Sequence, residues 1–232
     1  MTERALAGRT IVVLGATGGL GQAVTERLRD DGASVLAAGV KIPDTADRVD
    51  QVSYVAVDAL DEASVSATLT APAGAPPVAG VVNLIGGYTP PQPVGSLDIG
   101  VLRQQLDLNL ITAAIVTKYA LPVLAARGGG PLVHVSSRVA VRGYENSFAY
   151  SVSKLGVVRL VESAAAEGRG DGVRVNCILP SIIDTPANRA GIPGAAYDRW
   201  PKPSELAGVL SFLVGDDAVL ISGAAIPVYG RA

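Results

Sequence analysis

Three polar residues in the second half of the chain have types and a spacing that suit proton transfer. Tyr150 and Lys154 stand four residues apart at the start of a predicted helix, so both side chains lie on one face. Ser137 precedes Tyr150 by thirteen residues and follows a predicted strand. A tyrosine can exchange a proton with a reacting oxygen when a nearby cation favours its phenolate, and a serine hydroxyl can hydrogen-bond that oxygen. Because a Tyr-x-x-x-Lys spacing is common by chance, its meaning depends on the surrounding elements.

A glycine-rich segment near the amino terminus predicts a phosphate-binding loop. It lies between a β-branched strand, 10–14, and a helix that starts at residue 21. Glycines permit a tight turn and a close approach of pyrophosphate, and the helix N-terminus offers free N–H groups and the positive end of its dipole. The alternative is a glycine-rich turn that binds nothing. The residues predicted to contact a dinucleotide here are Gly15, Thr17, Gly18, Gly19, Leu20 and Gly21.

The end of the second predicted strand, 34–40, decides between two dinucleotides. An acid at this position would hydrogen-bond the ribose 2′-hydroxyl of NAD and repel the 2′-phosphate of NADP. The expected position holds Gly39, and Val40 and Lys41 follow it. Lys41 can attract a phosphate, although a solvated strand end explains it equally well. The sequence therefore favours NADP(H) over NAD(H).

Strands and helices alternate along the whole chain. This order indicates right-handed βαβ units, a parallel sheet and helices on both faces. The 232 residues therefore predict an α/β fold, a single doubly wound Rossmann-type domain with about seven parallel strands. The predicted strands are 10–14, 34–40, 52–57, 78–85, 132–136, 173–179 and 224–228, the predicted helices are 21–30, 61–69, 96–126, 149–167 and 204–214, and a loop is predicted at 71–77. Gly100 and Pro122 are possible interruptions of the long helix 96–126.

Composition excludes several classes of protein. Hydrophobic residues make up 49% of the chain and charged residues 17%, which excludes intrinsic disorder. With one cysteine, Cys177, and one histidine, His134, the chain can form neither an intrachain disulfide nor a cysteine-built zinc site, and no metal is expected. Both residues lie in predicted strands and are interpreted as core residues.

The charge pattern bears on partners and location. The net charge of −2 and the absence of a basic patch argue against a nucleic-acid partner. No run of eighteen apolar residues predicts a membrane span, and the amino terminus lacks the pattern of a secretory signal. We therefore expect a soluble, cytoplasmic protein that acts on a small molecule.

Together these features resemble the classical short-chain dehydrogenase/reductase family over essentially the whole chain. The glycine loop matches Thr-Gly-x-x-x-Gly-x-Gly, with Leu14 in place of the threonine. The segment 83–86 (Asn-Leu-Ile-Gly) stands where the family has Asn-Asn-Ala-Gly. The segment 180–185 matches Pro-Gly-x-x-x-Thr, with Ser181 in place of the glycine.

The resemblance implies a role for each matching residue. The catalytic set is Asn109, Ser137, Tyr150 and Lys154, with Tyr150 as the proton donor or base and Asn109 as the holder of a water. Further cofactor contacts, besides Tyr150 and Lys154, are implied at Asp58, Ala59, Asn83, Ile85, Gly86, Pro180, Ile183 and Thr185. The implied activity is hydride transfer between NAD(P)(H) and a small carbonyl or alcohol. The implied assembly is a homodimer or homotetramer that pairs helices 96–126 and 149–167.

Other interpretations remain open at this point. The adjacent Gly18 and Gly19 also satisfy the Gly-x-x-Gly-x-x-Gly pattern of nucleotide-sugar epimerases, but about fifty residues after Pro180 are too few for their substrate domain. The predicted lid, 185–203, is similar to that of quinonoid dihydropteridine reductases, which lack a serine equivalent to Ser137. A nucleotide sensor without catalysis is a further alternative. The sequence leaves Tyr88 and Trp200 with either a packing role or a place in the substrate pocket.

Overall fold

A sheet of seven parallel strands forms the centre of the structure, a computed structural model that describes residues 5–42, 50–70 and 76–232. The strands are β1 (Thr10–Leu14), β2 (Ser34–Gly39), β3 (Val52–Ala56), β4 (Val78–Asn83), β5 (Gly130–Val135), β6 (Val173–Pro180) and β7 (Ala225–Val228). Their order in the sheet is β3-β2-β1-β4-β5-β6-β7, and every neighbouring pair is parallel. This confirms the predicted α/β class and the doubly wound parallel sheet.

Helices cover both faces of this sheet. They are α1 (Gly21–Asp30), α2 (Glu62–Leu69), α3 (Ile99–Leu106), α4 (Thr112–Ala125), α5 (Phe148–Gly168), α6 (Pro186–Gly191) and α7 (Pro203–Val214). Alternate residues of a strand point to opposite faces. Accordingly Ile11 and Val13 pack with α1 and α7, whereas Val12 and Leu14 pack with α2, α4 and α5.

The predicted helix 96–126 is divided in the structure. A π-helical turn, Asp107–Ile111, separates α3 from α4. Gly100 does not interrupt a helix, because the Asp98 side chain accepts its N–H at 2.7 Å and so caps the start of α3. Pro122 lies inside α4 without ending it. Strands β2 and β4 end earlier than predicted, at Gly39 and Asn83, and most of the predicted loop 71–77 lies outside the described residues.

The helical run 99–125 also bears on the predicted absence of a membrane span. Within the described ranges it is the one helix whose length, 27 residues, and composition match a membrane-spanning segment. Its buried residues Val116, Ala120 and Leu124 belong to the core on one face of the sheet. This packing is typical of a core helix.

The sheet order places a crevice between β1 and β4. From this point the strand order proceeds to β2 and β3 on one side and to β5, β6 and β7 on the other. In open α/β sheets, ligands bind where the strand order reverses, at the carboxyl ends of the strands. The predicted site residues follow or end the strands at this edge: Gly15 after β1, Gly39 in β2, Asp58 after β3, Asn83 in β4, Ser137 after β5 and Pro180 in β6.

A second cleft, of about 570 Å³, lies at the opposite edge of the sheet. Its four arginines are Arg9, Arg127, Arg169 and Arg174. Arg174 donates to two carbonyls at the end of α7, Arg9 pairs with Asp216, and Arg127 and Arg169 follow the ends of α4 and α5. Cations at helix C-termini offset the negative end of the helix dipole, so the fold itself accounts for these charges.

The contact between α1 and α7 generates a test of the core. Leu210 is fully buried in α7, so Leu210→Ala should lower the free energy of unfolding by about 2–5 kcal/mol. The matched control is Leu220→Ala, because Leu220 is 95% exposed and its truncation should change that free energy by less than about 0.5 kcal/mol. Urea denaturation followed by circular dichroism measures both. Equal values for the two variants would contradict the packing described here.

Candidate active site

The glycine loop has the geometry of a phosphate cradle. Gly15 adopts φ +82°, and a Cβ added at Gly21 would lie 2.3 Å from the Gly15 carbonyl oxygen, so α1 packs directly on the loop. Among the described residues, no acceptor lies within hydrogen-bonding distance of the N–H groups of Thr17, Gly19 and Leu20. Free N–H groups at a helix N-terminus suit a pyrophosphate. These residues therefore fit the dinucleotide that the sequence predicts.

The loop contacts two other predicted segments. A Cβ added at Gly19 would lie 3.0 Å from the Thr185 Cγ2, and one added at Gly39 would lie 2.6 Å from the Thr17 hydroxyl. A side chain at position 39 would therefore collide with the loop. Lys41 is exposed beyond this strand end, with Val40 exposed beside it.

Asp58 and Ala59 lie in the turn that follows β3. An Asp58 carboxylate oxygen accepts the Leu60 N–H at 3.0 Å, and the Ser64 hydroxyl accepts the Asp58 N–H at 3.1 Å. These bonds fix the turn at the same edge of the sheet as the glycine loop.

Tyr150 and Lys154 lie in the first two turns of α5, as their spacing predicts. Lys154 is buried, its Nζ donates to the Val135 carbonyl at 3.1 Å, and Nζ lies 5.8 Å from the centre of the Tyr150 ring. The Ser136 hydroxyl donates to the Lys154 carbonyl at 2.8 Å, which ties α5 to the end of β5. Ser137, the next residue, lies close enough to the Tyr150 phenol to lower its pKa.

Burial shifts the proton affinity of both groups. It lowers the pKa of the Lys154 ammonium to about 8, because desolvation disfavours the charged form. It also raises the pKa of the Tyr150 phenol, and the nearby Ser137 hydroxyl opposes that rise. A Tyr150 phenolate therefore requires more than the protein environment, and the positive ring of an oxidised nicotinamide would supply additional charge.

Asn109 lies at the centre of the π-helical turn and is buried. Its side chain pairs with the backbone of Gly87, donating to the carbonyl and accepting the N–H, both at 3.0 Å. It also donates to the Gln105 backbone carbonyl at 3.2 Å. A Cβ added at Gly86 would lie 2.7 Å from both the Asn109 Oδ1 and the Lys154 Nζ. The fold thus brings Asn109 and Lys154 together at Gly86, with Tyr150 beside Lys154 and Ser137 beside Tyr150.

A chain of buried polar groups supports the loop after β4. The Asn83 amide donates to the His134 Nδ1 at 3.1 Å, and the His134 Nε2 lies 3.0 Å from the Thr117 hydroxyl. That hydroxyl donates to the Ala113 carbonyl at 2.8 Å, which assigns the imidazole proton to Nε2. Asn83 Oδ1 then accepts the Ile85 N–H at 3.2 Å. His134 is a buried core residue, as predicted, and it also orients Asn83.

The structure distinguishes the two aromatic residues that the sequence leaves open. The Tyr88 ring meets the Tyr150 ring edge to face at 5.1 Å and is 58% exposed, so it borders the Tyr150 phenol. Trp200 is 7% exposed and packs edge to face on Tyr197 at 5.0 Å. Trp200 therefore anchors the predicted lid segment.

The remaining predicted contacts follow β6. Thr185 caps α6 by accepting the Asn188 N–H at 3.2 Å, and the Asn188 amide donates to the Ile183 carbonyl at 2.8 Å. The segment from Pro180 to Thr185 therefore has a defined path beside the glycine loop. In the described part of the chain, no group of three or more His, Cys, Asp or Glu residues could hold a metal.

Comparisons with known proteins agree with this geometry. A sequence model of the family described as enoyl-(acyl carrier protein) reductase matches residues 15–230. The cis-4-hydroxycyclohexanecarboxylate dehydrogenase of Sinomonas cyclohexanicum is 33% identical over 247 residues, with 97% of each chain covered. A solved short-chain type dehydrogenase/reductase from Mycobacterium ulcerans has a TM-score of 0.90 at 28% identity, with 98% of this chain and 90% of that chain covered. The chain belongs to the short-chain dehydrogenase/reductase family.

A further solved relative is informative about the cofactor. It is provisionally named an NAD(P)-dependent gluconate 5-dehydrogenase, comes from Beutenbergia cavernae and holds NADP at low occupancy. Its TM-score is 0.88 at 29% identity, and the alignment covers 98% of both chains. As a short-chain dehydrogenase/reductase, the chain is an NAD(P)-dependent oxidoreductase, related to enzymes that act on alcohol and carbonyl groups.

Two features of this short-chain dehydrogenase/reductase were not predicted from the sequence: the contact of Gln105 with Asn109 and the hydrogen bond between His134 and Asn83. Gln105 is fully buried and contacts Asn109; its position one helical turn earlier was the available signal. The link from His134 to Asn83 was missed because the two residues lie 51 positions apart and meet through the pairing of β4 with β5.

The buried imidazole generates a test by pH. Burial lowers the pKa of His134 from 6.5 to about 3, so between these values the unfolded chain binds more protons than the folded one. The free energy of unfolding should therefore fall as the pH drops through this range, by about 2 kcal/mol between pH 7 and pH 5 from this group. His134→Asn should remove that component, measured by urea denaturation at both pH values.

Thr117→Val is the matched control, because it removes the partner of Nε2 and keeps the imidazole. Its unfolding free energy should retain the pH dependence. If His134→Asn and the parent protein lose equal stability between pH 7 and pH 5, the buried neutral histidine is disproved.

Proposed function

We propose that this oxidoreductase interconverts a small alcohol and its carbonyl compound with NAD(P)(H), and that Tyr150 is its acid/base. The observation that carries the proposal is the buried Lys154 beside Gly86, with the Tyr150 ring 5.8 Å from its Nζ and Ser137 next to the Tyr150 phenol. The catalytic roles of these residues, including Asn109, are part of the proposal.

Each role follows from position. Tyr150 takes the hydroxyl proton of the alcohol during oxidation and returns it to the carbonyl oxygen during reduction. Ser137 donates a hydrogen bond to the same oxygen, where charge develops. The buried Lys154 ammonium favours the Tyr150 phenolate, and Asn109 closes the wall beside it through its paired bonds with Gly87.

The dinucleotide supplies the redox chemistry when bound, since its nicotinamide ring exchanges a hydride with the substrate carbon. The N–H groups of the glycine loop would hold the pyrophosphate, and Asp58 with Ala59 would border the adenine. Asn83, Ile85 and Gly86 would line the nicotinamide ribose. Pro180, Ile183 and Thr185 would border the nicotinamide, and residues 185–203 would cover the substrate as a lid.

The residues at the end of β2 suit NADP(H) better than NAD(H). Gly39 leaves no acid to repel a 2′-phosphate, and Lys41 offers an exposed cation beside it. The relative from Beutenbergia cavernae, which has NADP bound, supports the same preference.

Assembly and location complete the proposal. The helical segments that are expected to pair between subunits carry three apolar residues that are each about 40% exposed. These residues are Ile111, Phe148 and Leu155. Covering them in a homodimer or homotetramer would remove that apolar area from water. A cytoplasmic location, as expected from the sequence, is part of the proposal.

Replacing the phenol tests the mechanism. Tyr150→Phe should lower kcat by about 10²- to 10⁴-fold, because the variant cannot exchange the proton. Dinucleotide binding should persist, measured by energy transfer from Trp200 to reduced nicotinamide. Tyr119→Phe is the control, since the Tyr119 hydroxyl bonds Glu62 away from the site, and its kcat should match the parent. Full activity of Tyr150→Phe would refute the role, and dinucleotide binding without turnover in the parent protein would indicate a sensor.

Removing the strand-end cation tests the cofactor preference. Lys41→Ala should raise KM for NADPH on the order of 10-fold, because a charged hydrogen bond to the 2′-phosphate is lost. KM for NADH serves as the internal control and should not change. Steady-state kinetics with both cofactors gives the two values, and an equal change in both would exclude Lys41 as the phosphate contact.

A further inference from the structure

Two side chains border the ring of Tyr150, the proposed acid/base. The Lys154 Nζ lies 5.8 Å from the centre of this ring and comes from the same helix, α5. The Tyr88 ring comes from the segment that joins β4 to α3, residues 84–98. Its plane makes an angle of 85° with that of Tyr150, and the ring centres are 5.1 Å apart. This edge-to-face geometry is one that aromatic pairs prefer, so the contact favours one orientation of the Tyr150 ring.

The backbone that precedes Tyr88 is fixed by Asn109. The Asn109 side chain pairs with both polar groups of the Gly87 backbone, each at 3.0 Å. A Cβ added at Gly87 would lie 2.6 Å from the Leu108 Cδ2, so Gly87 packs directly on the π-helical turn. The point from which the Tyr88 side chain projects is therefore set by a buried amide.

The backbone that follows Tyr88 is restricted as well. Three of the four residues in the range 90–93 are prolines, whose rings fix φ. The Gln92 N–H donates to the Asn146 carbonyl at 2.8 Å, which joins the segment 84–98 to the residues directly before α5. Tyr88 thus lies between one attachment to the π-helical turn and another to the start of the helix that carries Tyr150.

The exposure of Tyr88 argues against a role in the core. Its side chain is 58% exposed, and it packs in neither of the hydrophobic clusters that cover the two faces of the sheet. Removing its ring therefore costs the contact with Tyr150 and little core packing. The stability of the fold does not account for an aromatic residue at this position.

Tyr88 also affects the protonation of the phenol. Burial is the main cause that raises the pKa of Tyr150, and Tyr88 adds to the rise, whereas Ser137 on the β5 side lowers it. Because a phenolate requires hydration, a ring packed against it favours the protonated form. The titratable side chains that face Tyr150 are Lys154 from α5 and Tyr88 from the segment 84–98.

We propose that Tyr88 is a positioning residue that holds the Tyr150 phenol in the orientation required for proton exchange, and that Asn109 supports this role by fixing Gly87. The inference rests on the proposed function, because it assigns a residue that acts through Tyr150. Two other roles compete with it. In one, Tyr88 contacts only the substrate, and in the other it has no part in the reaction.

A titration of the phenol tests the proposal without turnover. The difference in ultraviolet absorbance between a protein and its Tyr150→Phe counterpart reports the Tyr150 phenolate alone, and it is measured with and without saturating NADP⁺. Tyr88→Ala should lower the pKa of Tyr150, because the phenolate regains hydration. Tyr88→Phe, which keeps the ring, should retain most of the parent value.

Steady-state kinetics over a range of pH tests the orientation. With cis-4-hydroxycyclohexanecarboxylate as the probe alcohol, Tyr88→Ala should lower the pH-independent kcat by about 10- to 100-fold, the effect of a misplaced reacting group, and leave KM nearly unchanged. Tyr88→Phe should remain close to the parent. A higher KM with an unchanged kcat would instead establish a direct substrate contact and overturn the proposal.

Val94→Ala is the matched control for the segment 84–98. The Val94 side chain lies in the same segment and is 66% exposed, so its truncation should change neither the titration of Tyr150 nor kcat. Equal effects of Val94→Ala and Tyr88→Ala would assign the change to general loosening of the segment. Equal effects of Tyr88→Phe and Tyr88→Ala would assign it to the Tyr88 hydroxyl. Either result would overturn the role of the ring.

The two measurements distinguish failure of this inference from failure of the proposed function. Full activity of Tyr150→Phe would refute the proposed acid/base, whereas a lower Tyr150 pKa in Tyr88→Ala would still show that Tyr88 controls the phenol. A Tyr150 pKa that is unchanged in Tyr88→Ala would overturn the inference, even if Tyr150→Phe is inactive. If the probe alcohol is not turned over, the titration alone decides.

Discussion

The arrangement of the site depends on accommodating one buried ammonium group. Lys154 is 4% exposed, and a cation removed from water is costly unless hydrogen bonds replace its hydration. The Val135 carbonyl supplies one bond at 3.1 Å, and Gly86 leaves the space beside Nζ free, since a Cβ there would lie 2.7 Å away. The lack of a side chain at position 86 meets this need for space.

The end of β5 connects the structural and chemical parts of the site. Four consecutive residues at this strand end act on three neighbours, namely Asn83, Lys154 and Tyr150. His134 orients Asn83 in β4, the Val135 carbonyl accepts the ammonium, and the Ser136 hydroxyl binds the backbone of α5. Ser137 then lies close to the Tyr150 phenol and lowers its pKa. A shift of this strand would therefore displace the nicotinamide side of the crevice, the cation and the phenol together.

The sequence predicts features that depend on residues close together in the chain. It leaves open features that depend on contacts between distant residues. The parallel sheet, the glycine loop and the meeting of Tyr150 with Lys154 follow from periodicity and spacing within one element. The π-helical turn at residues 107–111 could not be predicted, because the bonds of Asn109 to Gly87 that accompany it join residues 22 positions apart. The orientation of Tyr88 depends in the same way on α5, because its ring contacts that of Tyr150, a residue of a different element.

The sheet order separates the two kinds of recognition that the enzyme requires. The ends of β1, β2 and β3 carry the glycine loop, Lys41 and Asp58, whereas β5, β6 and β7 carry Ser137, Ser181 and the segment with Tyr229. Lys41 and Ser137 therefore lie at opposite sides of the crevice. Gly86 follows β4 between these two sides, beside Asn109 and Lys154. A change beside β6 or β7 would therefore leave the ends of β1, β2 and β3 in place.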